Sequence, residues 1–169
     1  MSVHTAARAL AGLAMTILLG GTAYARGYNY YSRVIDFGNG APSDNIVLAL
    51  SRETTGRPEF NIFPSGQALL APDPIPLNEW VHVAVTVKTN TAIMYVNGVA
   101  VVSGPAGTPN PVVRNNNYIG RSNWPGDAYA NALIDELRIW DVARTPSELQ
   151  ASSSRPKFFR GSRLATAST

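Results

Sequence analysis

The chain has no cysteine, and its 169 residues include only two histidines. Disulfides, thiolate-based zinc sites and thiol redox chemistry are therefore excluded. His4 lies in the N-terminal apolar region, which leaves His82 as the one histidine of the chain's body. A lone histidine with no orienting partner motif reads as a core residue rather than a general base. Glutamates are few and scattered, at Glu53, Glu59, Glu79, Glu136 and Glu148. No zinc motif, phosphate loop or nucleophile triad occurs. These absences argue against an enzyme. They leave the fold to be held by burial alone, or by burial plus a metal.

Charge is sparse and unevenly placed. The chain has 14 basic and 11 acidic residues. Setting aside Arg8 and the tail residues Arg155, Lys157, Arg160 and Arg163 leaves nine basic against eleven acidic, a net of −2. The pI near 9.4 is thus a property of the tail, and no basic face is available to nucleic acid. The tail over residues 151–169 (ASSSRPKFFRGSRLATAST) is small, polar and basic, and reads as a flexible extension. Phe158-Phe159 is its apolar exception.

Long hydrophobic runs are scarce too. The longest, Ala9–Gly21, is too short to span a bilayer comfortably. With Arg8 before it and Ala23-Tyr24-Ala25 after it, it fits the three-part pattern of a secretory signal. That pattern predicts a leader over residues 1–25, a secreted protein (extracellular or periplasmic) and no membrane span after cleavage. The competing reading makes Thr16-Ile17-Leu18-Leu19 a strand. Residues 26–150 then form one domain of about 125 residues, enough for a single core.

What the chain does have is alternation. Val81, Val83, Val85 and Val87 alternate with His82, Ala84, Thr86 and Lys88, which predicts a strand. Ala92–Val96 and Val99–Val102 flank Asn97-Gly98, the strongest short hairpin signal. Further strands are expected over Tyr28–Phe37, Ile46–Leu50, Glu59–Phe63, Ala68–Ala71 and Ala132–Trp140, with turns at Gly38-Asn39-Gly40, Thr54-Thr55-Gly56 and Pro64-Ser65-Gly66. Thr145-Pro146-Ser147-Glu148 has the form of a capping box with proline at the first helical position, which predicts a helix of about two turns ending near Ala151. The expected fold is all-β, an antiparallel sandwich or jelly roll with one short C-terminal helix. Such a scaffold more often binds than catalyses.

Several segments together carry a family resemblance. Trp80-x-His82-Val83-Ala84-Val85, Tyr95-Val96-Asn97-Gly98, Tyr118-Ile119-Gly120 and Ile134-Asp135-Glu136-Leu137-Arg138-Ile139-Trp140 stand in the order of the laminin G-like, concanavalin A-like jelly roll. Arg33-Val34-Ile35-Asp36-Phe37-Gly38 resembles an earlier strand of that family, and the whole match runs from Tyr31 to Leu149. The resemblance implies a strand ahead of Arg33, at the place of the leader-like residues. It implies a lectin-like binding domain and, in many members, structural calcium. Glucanases with this fold carry their carboxylates on one strand as a glutamate–x–aspartate pattern, which this chain lacks.

Candidate sites follow from these readings. Alternation in Ala132–Trp140 puts Asp135 on the face of Leu137 and Ile139, and burying a carboxylate is costly unless it is paired or metal-bound. Asp135, with oxygens of Asn39, Asp44 and Asn45, is the expected set for a structural Ca2+. The plainer reading gives Asp135 backbone N–H partners. Glu136 and Arg138 read as a surface pair. Trp80 and Trp140 read as core. Trp124 differs, since it lies in a loop without periodicity beside Arg121, Asn123 and Asp127. Its ring suits stacking on a pyranose C–H face, polar neighbours suit hydroxyls, and Tyr129 could extend the platform. The competing reading has Trp124 fold back over the sandwich. The expected function is a secreted, non-catalytic, carbohydrate-binding module whose partner is a glycan. A protein–protein interaction or adhesion domain with an extracellular protein ligand is the alternative, and a glycoside hydrolase of this fold the third.

Overall fold

A computed structural model describes residues 17–64 and 67–153. Met1 to Thr16, the Ser65-Gly66 turn and the tail with Phe158-Phe159 lie outside the described residues. In chain order the strands are β1 (Ile17–Ala25), β2 (Arg33–Gly38), β3 (Ile46–Ala49), β4 (Glu59–Ile62), β5 (Leu69–Leu70), β6 (Trp80–Lys88), β7 (Thr91–Val96), β8 (Val99–Pro105), β9 (Asn116–Ile119) and β10 (Ala132–Trp140). They are followed by α1 (Pro146–Ser153), which runs slightly past the expected end. Two antiparallel five-stranded sheets result, in the orders β10-β1-β6-β7-β8 and β5-β4-β3-β2-β9. The sandwich expected from alternation is the fold observed.

The valines of β6 explain the first sheet. Val81, Val83, Val85 and Val87 are buried and face Ile35, Phe37, Ile46, Leu48, Phe60 and Ile62 of the second sheet. Each such side chain contributes roughly 1.5–3 kcal/mol on burial. Asn97 and Gly98 have φ of 51° and 80°, the left-handed pair that a type I′ turn needs. Gly98 is required twice over, because a Cβ there would come 2.9 Å from Cα of Gln150 on α1. That helix is capped as expected: the Thr145 N–H donates to Glu148 Oε2 at 2.8 Å. Leu149 then buries itself on Ala84 and Tyr95, with Ile93 and Trp140 alongside.

Three expectations change. The apolar segment before residue 26 is a strand here: β1 lies between β6 and β10 and is hydrogen-bonded to both. The fold therefore begins ahead of the domain boundary drawn at residue 26. Second, Asp135 is exposed. The register slips between Gly20↔Arg138 and Thr22↔Asp135, and Glu136 sits at φ 53°. This β-bulge inserts one extra residue into β10. Ile134 and Leu137 then both turn to the core, while Asp135 and Glu136 turn outward, where Glu136 pairs with Arg138. Third, Trp80 and Trp140 are half-buried on the outer face of the first sheet rather than in the core. Trp80 packs on Tyr24 at 5.6 Å between ring centroids, and Arg144 lies 3.9 Å over the Trp140 ring. His82 faces outward beside them, 8% exposed, so it belongs to a covered outer face and not to the central core.

An internal strand cannot be removed without orphaning both neighbours' hydrogen bonds. A chain beginning at residue 26 is therefore expected to lose its cooperative thermal transition, read by circular dichroism. A sharp transition matching the full chain would contradict the place of β1.

Candidate functional site

The loop from Gly120 to Asn131, between β9 and β10, carries the five residues expected to bind ligand. It is fixed to the second sheet by a buried carboxylate. Asp36 on β2 is fully buried, since alternation turns it away from Ile35 and Phe37 onto the outer face. Three N–H donors meet it, with a hydroxyl nearby. Asn45 Nδ2 donates to Oδ1 at 2.7 Å. Asn123 donates its N–H to Oδ2 and its Nδ2 to Oδ1, both at 2.8 Å. Ser122 Oγ lies 3.4 Å from Oδ2. Among the described residues no cation forms an ion pair with this carboxylate, so the donors replace its hydration.

A second anchor lies beside the first. Arg33, 5% exposed, donates from Nη2 to Asp127 Oδ2 at 2.7 Å. Ser122 Oγ donates to the same oxygen at 2.6 Å and receives the Trp124 N–H at 3.0 Å. The backbone is tied as well: the Ala130 N–H donates to the Gly120 carbonyl and the Ala128 N–H to the Tyr30 carbonyl. The Arg33 guanidinium carbon lies 5.3 Å from the Tyr31 ring and 5.5 Å from the Trp124 ring, within cation–π reach. Trp124 also packs on Phe63 at 5.1 Å. Trp124 is half-buried and keeps part of its surface exposed.

The five expected residues thus divide. Asn123 and Asp127 point inward as anchors. Arg121 is exposed and stacks over Tyr118 at 4.5 Å. Tyr129 is 67% exposed, its carbonyl held by Asn29 Nδ2 at 3.0 Å. Trp124 stands between the two groups. Asp36 escaped the sequence reading although its signal was there, as a carboxylate inside an apolar strand. Arg33, Tyr31 and Phe63 left none, because their contacts with Trp124 span sequence separations no local pattern encodes.

The four residues expected to hold calcium stand on two different sheets. Asp135 is exposed on the first sheet and accepts the Glu136 N–H at 2.7 Å. Asn39, Asp44 and Asn45 stand on the β2–β3 connection of the second. Asn45 is spent on Asp36. Asn39 donates to the Val113 carbonyl and accepts the Asn115 N–H, each at 2.9 Å. Asp44 accepts Asn110 Nδ2 at 2.7 Å, and its carbonyl accepts Nε of the buried Arg114 at 2.7 Å. A guanidinium against that carbonyl is a poor neighbour for a divalent cation, and burial already holds its pKa below the ordinary value. Among the described residues no group of three histidine, cysteine, aspartate or glutamate side chains could hold a metal.

Comparison with known proteins fits this architecture. The family model of the concanavalin A-like lectin/glucanases superfamily matches residues 23–150, and the chain belongs to that superfamily. No curated protein matches it. Among solved structures it is similar to a candidate carbohydrate-binding protein of Bacteroides ovatus ATCC 8483 (TM-score 0.60, 21% identity, 80% of this chain and 40% of that one). It thus spans less than half the length of that protein. It is similar to domain 4 of AbnA, a GH43 extracellular arabinanase of Geobacillus stearothermophilus solved with arabinotriose (TM-score 0.66, 21% identity, 86% and 69%). It is also similar to the CBM40 of Ruminococcus gnavus IT-sialidase bound to α2,3-sialyllactose (TM-score 0.67, 14% identity, 82% and 83%). At these identities the likeness is one of fold.

Removing the Asp36 carboxylate would strand three buried N–H donors at once. Asp36→Ala is expected to cost about 3 kcal/mol in urea unfolding, and a loss below ~1 kcal/mol would show that the network contributes little. Glu59 supplies a pH signature. Burial raises its pKa above the ordinary 4.5, against the opposing pull of Arg52, which donates to it at 3.0 Å. The fold therefore favours the protonated form, and ionisation costs stability as pH rises through the raised value. Relative to Glu59→Gln, the wild type is expected to gain stability as pH falls from 7 toward 4.5. A difference that stays constant over that range would exclude the shift.

Proposed function

We propose that this member of the superfamily is a non-catalytic carbohydrate-binding module. The observation that carries the reading is the loop itself: its backbone and two polar side chains are locked to the sheet, while Trp124, Tyr129 and Arg121 keep surface for a ligand. A loop whose backbone is already fixed binds sugar at low entropic cost, because the loop need not be ordered on binding. The Trp124 and Tyr129 rings supply C–H stacking, and Arg121, steadied on Tyr118, supplies N–H donors to hydroxyls. The fold of the similar CBM40 and arabinanase modules supports the reading.

The nearest thing to a catalytic pair argues for binding rather than hydrolysis. Asp36 and Asp127 both reach Ser122 Oγ. Asp36 is fully buried and Asp127 is tied to Arg33, so neither can meet a glycosidic oxygen. A glycosidase needs one accessible carboxyl to give a proton and another to attack or to activate water.

An extracellular setting belongs to the same proposal, in a form of the chain that keeps Ile17–Ala25 in the sheet. Among the described residues no helix is long and apolar enough to cross a membrane.

Tyr129→Ala alters a side chain with little packing and is expected to leave stability within about 0.5 kcal/mol. It should weaken glycan binding about tenfold, a loss of roughly 1.4 kcal/mol, in titration calorimetry against an oligosaccharide selected on a glycan array. Trp124→Ala should weaken binding further and also lower the melting temperature, since its ring packs on Phe63 and Arg33. Unchanged affinity in both variants would remove the site from this loop.

A further inference from the structure

Three buried polar atoms on the outer face of the second sheet have no hydrogen-bond partner among the described residues: Oδ1 of Asn45, whose amide is held by Asp36, and, farther along the face, Nε of Arg33 and Oδ1 of Asn61. Arg33 and Asn61 are 5% and 8% exposed. Asn61 alternates with the core residues Phe60 and Ile62 on β4, so it faces outward, in register with Val47 and, through it, Asp36. Phe63 is the next outward position along the same strand. The Trp124 ring lies 5.1 Å from Phe63 and 5.5 Å from the Arg33 guanidinium. One side chain therefore bridges from the Asn61 side of the sheet face to the Arg33 side. Buried polar groups in folded proteins are nearly always satisfied, and unsatisfied ones call for an explanation. Here a donor on Arg33, beside the Trp124 ring, and an acceptor on Asn61, two residues before the Phe63 on which that ring packs, are left over on the same face.

We infer that Trp124 is a movable cover, and that the face beneath it is the floor of the glycan site, built for a neutral saccharide. This rests on the carbohydrate-binding reading above. On binding, the Trp124 ring turns off Phe63 and Arg33 and onto the sugar's C–H face, while the loop backbone stays fixed through Asn123 and Asp127. One sugar hydroxyl accepts the Nε–H of Arg33, and another donates to Oδ1 of Asn61. The ligand at this floor is neutral because its two arginines are already paired, Arg33 with Asp127 and Arg52 with Glu59, while the buried Asp36 adds a carboxylate to the same face. An acidic sugar seated there would bury a second carboxylate near the first, and Arg121 lies outside the floor, exposed over Tyr118.

The test uses the full chain, its Asn61→Leu variant and its Trp124→Phe variant. The probes are neutral trisaccharides (arabinotriose, xylotriose, cellotriose, laminaritriose and mannotriose), with α2,3-sialyllactose as the acidic comparator. Affinity is read by calorimetry, Trp124 movement by tryptophan emission, and the fold by melting temperature. The expected result is binding of a neutral member and a shift in emission that Trp124→Phe lacks. Asn61→Leu should bind at least tenfold more weakly at an equal or higher melting temperature, because it removes an unsatisfied acceptor from the unliganded protein. Equal affinity of Asn61→Leu and wild type overturns the floor while leaving the carbohydrate reading intact. So does a lowered melting temperature in Asn61→Leu, which would make Asn61 structural. Binding of sialyllactose alone overturns the neutral ligand. Binding of no glycan overturns this inference together with the reading it rests on.

Discussion

A buried carboxylate held by neutral donors organises the outer face of the second sheet. Asp36 sits at the middle of β2, where its neighbours Ile35 and Phe37 are committed to the core. Its oxygens are left to the opposite face, sealed from water. Burial of that charge is tolerable only if donors surround it. The donors come from two places that chain connectivity alone would not bring together: Asn45, just before β3, and Asn123 in the β9–β10 loop. The cost of burying one charge thus becomes the force that positions a loop. From that anchor follow the Ser122–Asp127 contact, the Arg33 pair and the placement of Trp124.

The same logic separates framework from ligand surface within one short stretch. Asn123 and Asp127 look like sugar-binding residues by type, and they serve as anchors. Arg121 and Tyr129 remain available, and Trp124 mediates between the two groups. The loop combines a fixed backbone with side chains free to act, an arrangement suited to binding without rearrangement of the backbone. The second sheet contributes more than support, because its outer face carries polar groups that an ordinary sandwich face would leave to water.

Much of the fold was legible in the sequence. The valine alternation of β6, the Asn97-Gly98 turn and the Thr145–Glu148 cap are local signals, and each reappears in the structure with the expected geometry. What failed was non-local. Asp135 was read by strict alternation, and a single inserted residue at the Glu136 bulge reversed its face. Trp80 and Trp140 were given to the core by size, whereas the strand period sends them outward onto Tyr24 and beneath Arg144. Residues 17–25 satisfy both a leader pattern and a buried strand, and only pairing with β6 and β10 distinguishes the two. At the site, the loop and its tryptophan were legible by composition. The partners Arg33, Tyr31 and Phe63 were not, because a sandwich closes over chain separations that no motif records.

The most direct test of the central claim is a residue-resolved map of where a neutral oligosaccharide touches the protein, by 1H–15N chemical-shift perturbation on the full chain. The expected perturbations cluster at residues 118–131, with the Trp124 indole, the Arg33 Nε–H and the Asn61 side chain among them, and leave the first sheet quiet. Perturbations centred on Tyr24 and Trp80, across the outer face of the first sheet, would contradict the account and move the binding surface to the opposite side of the sandwich.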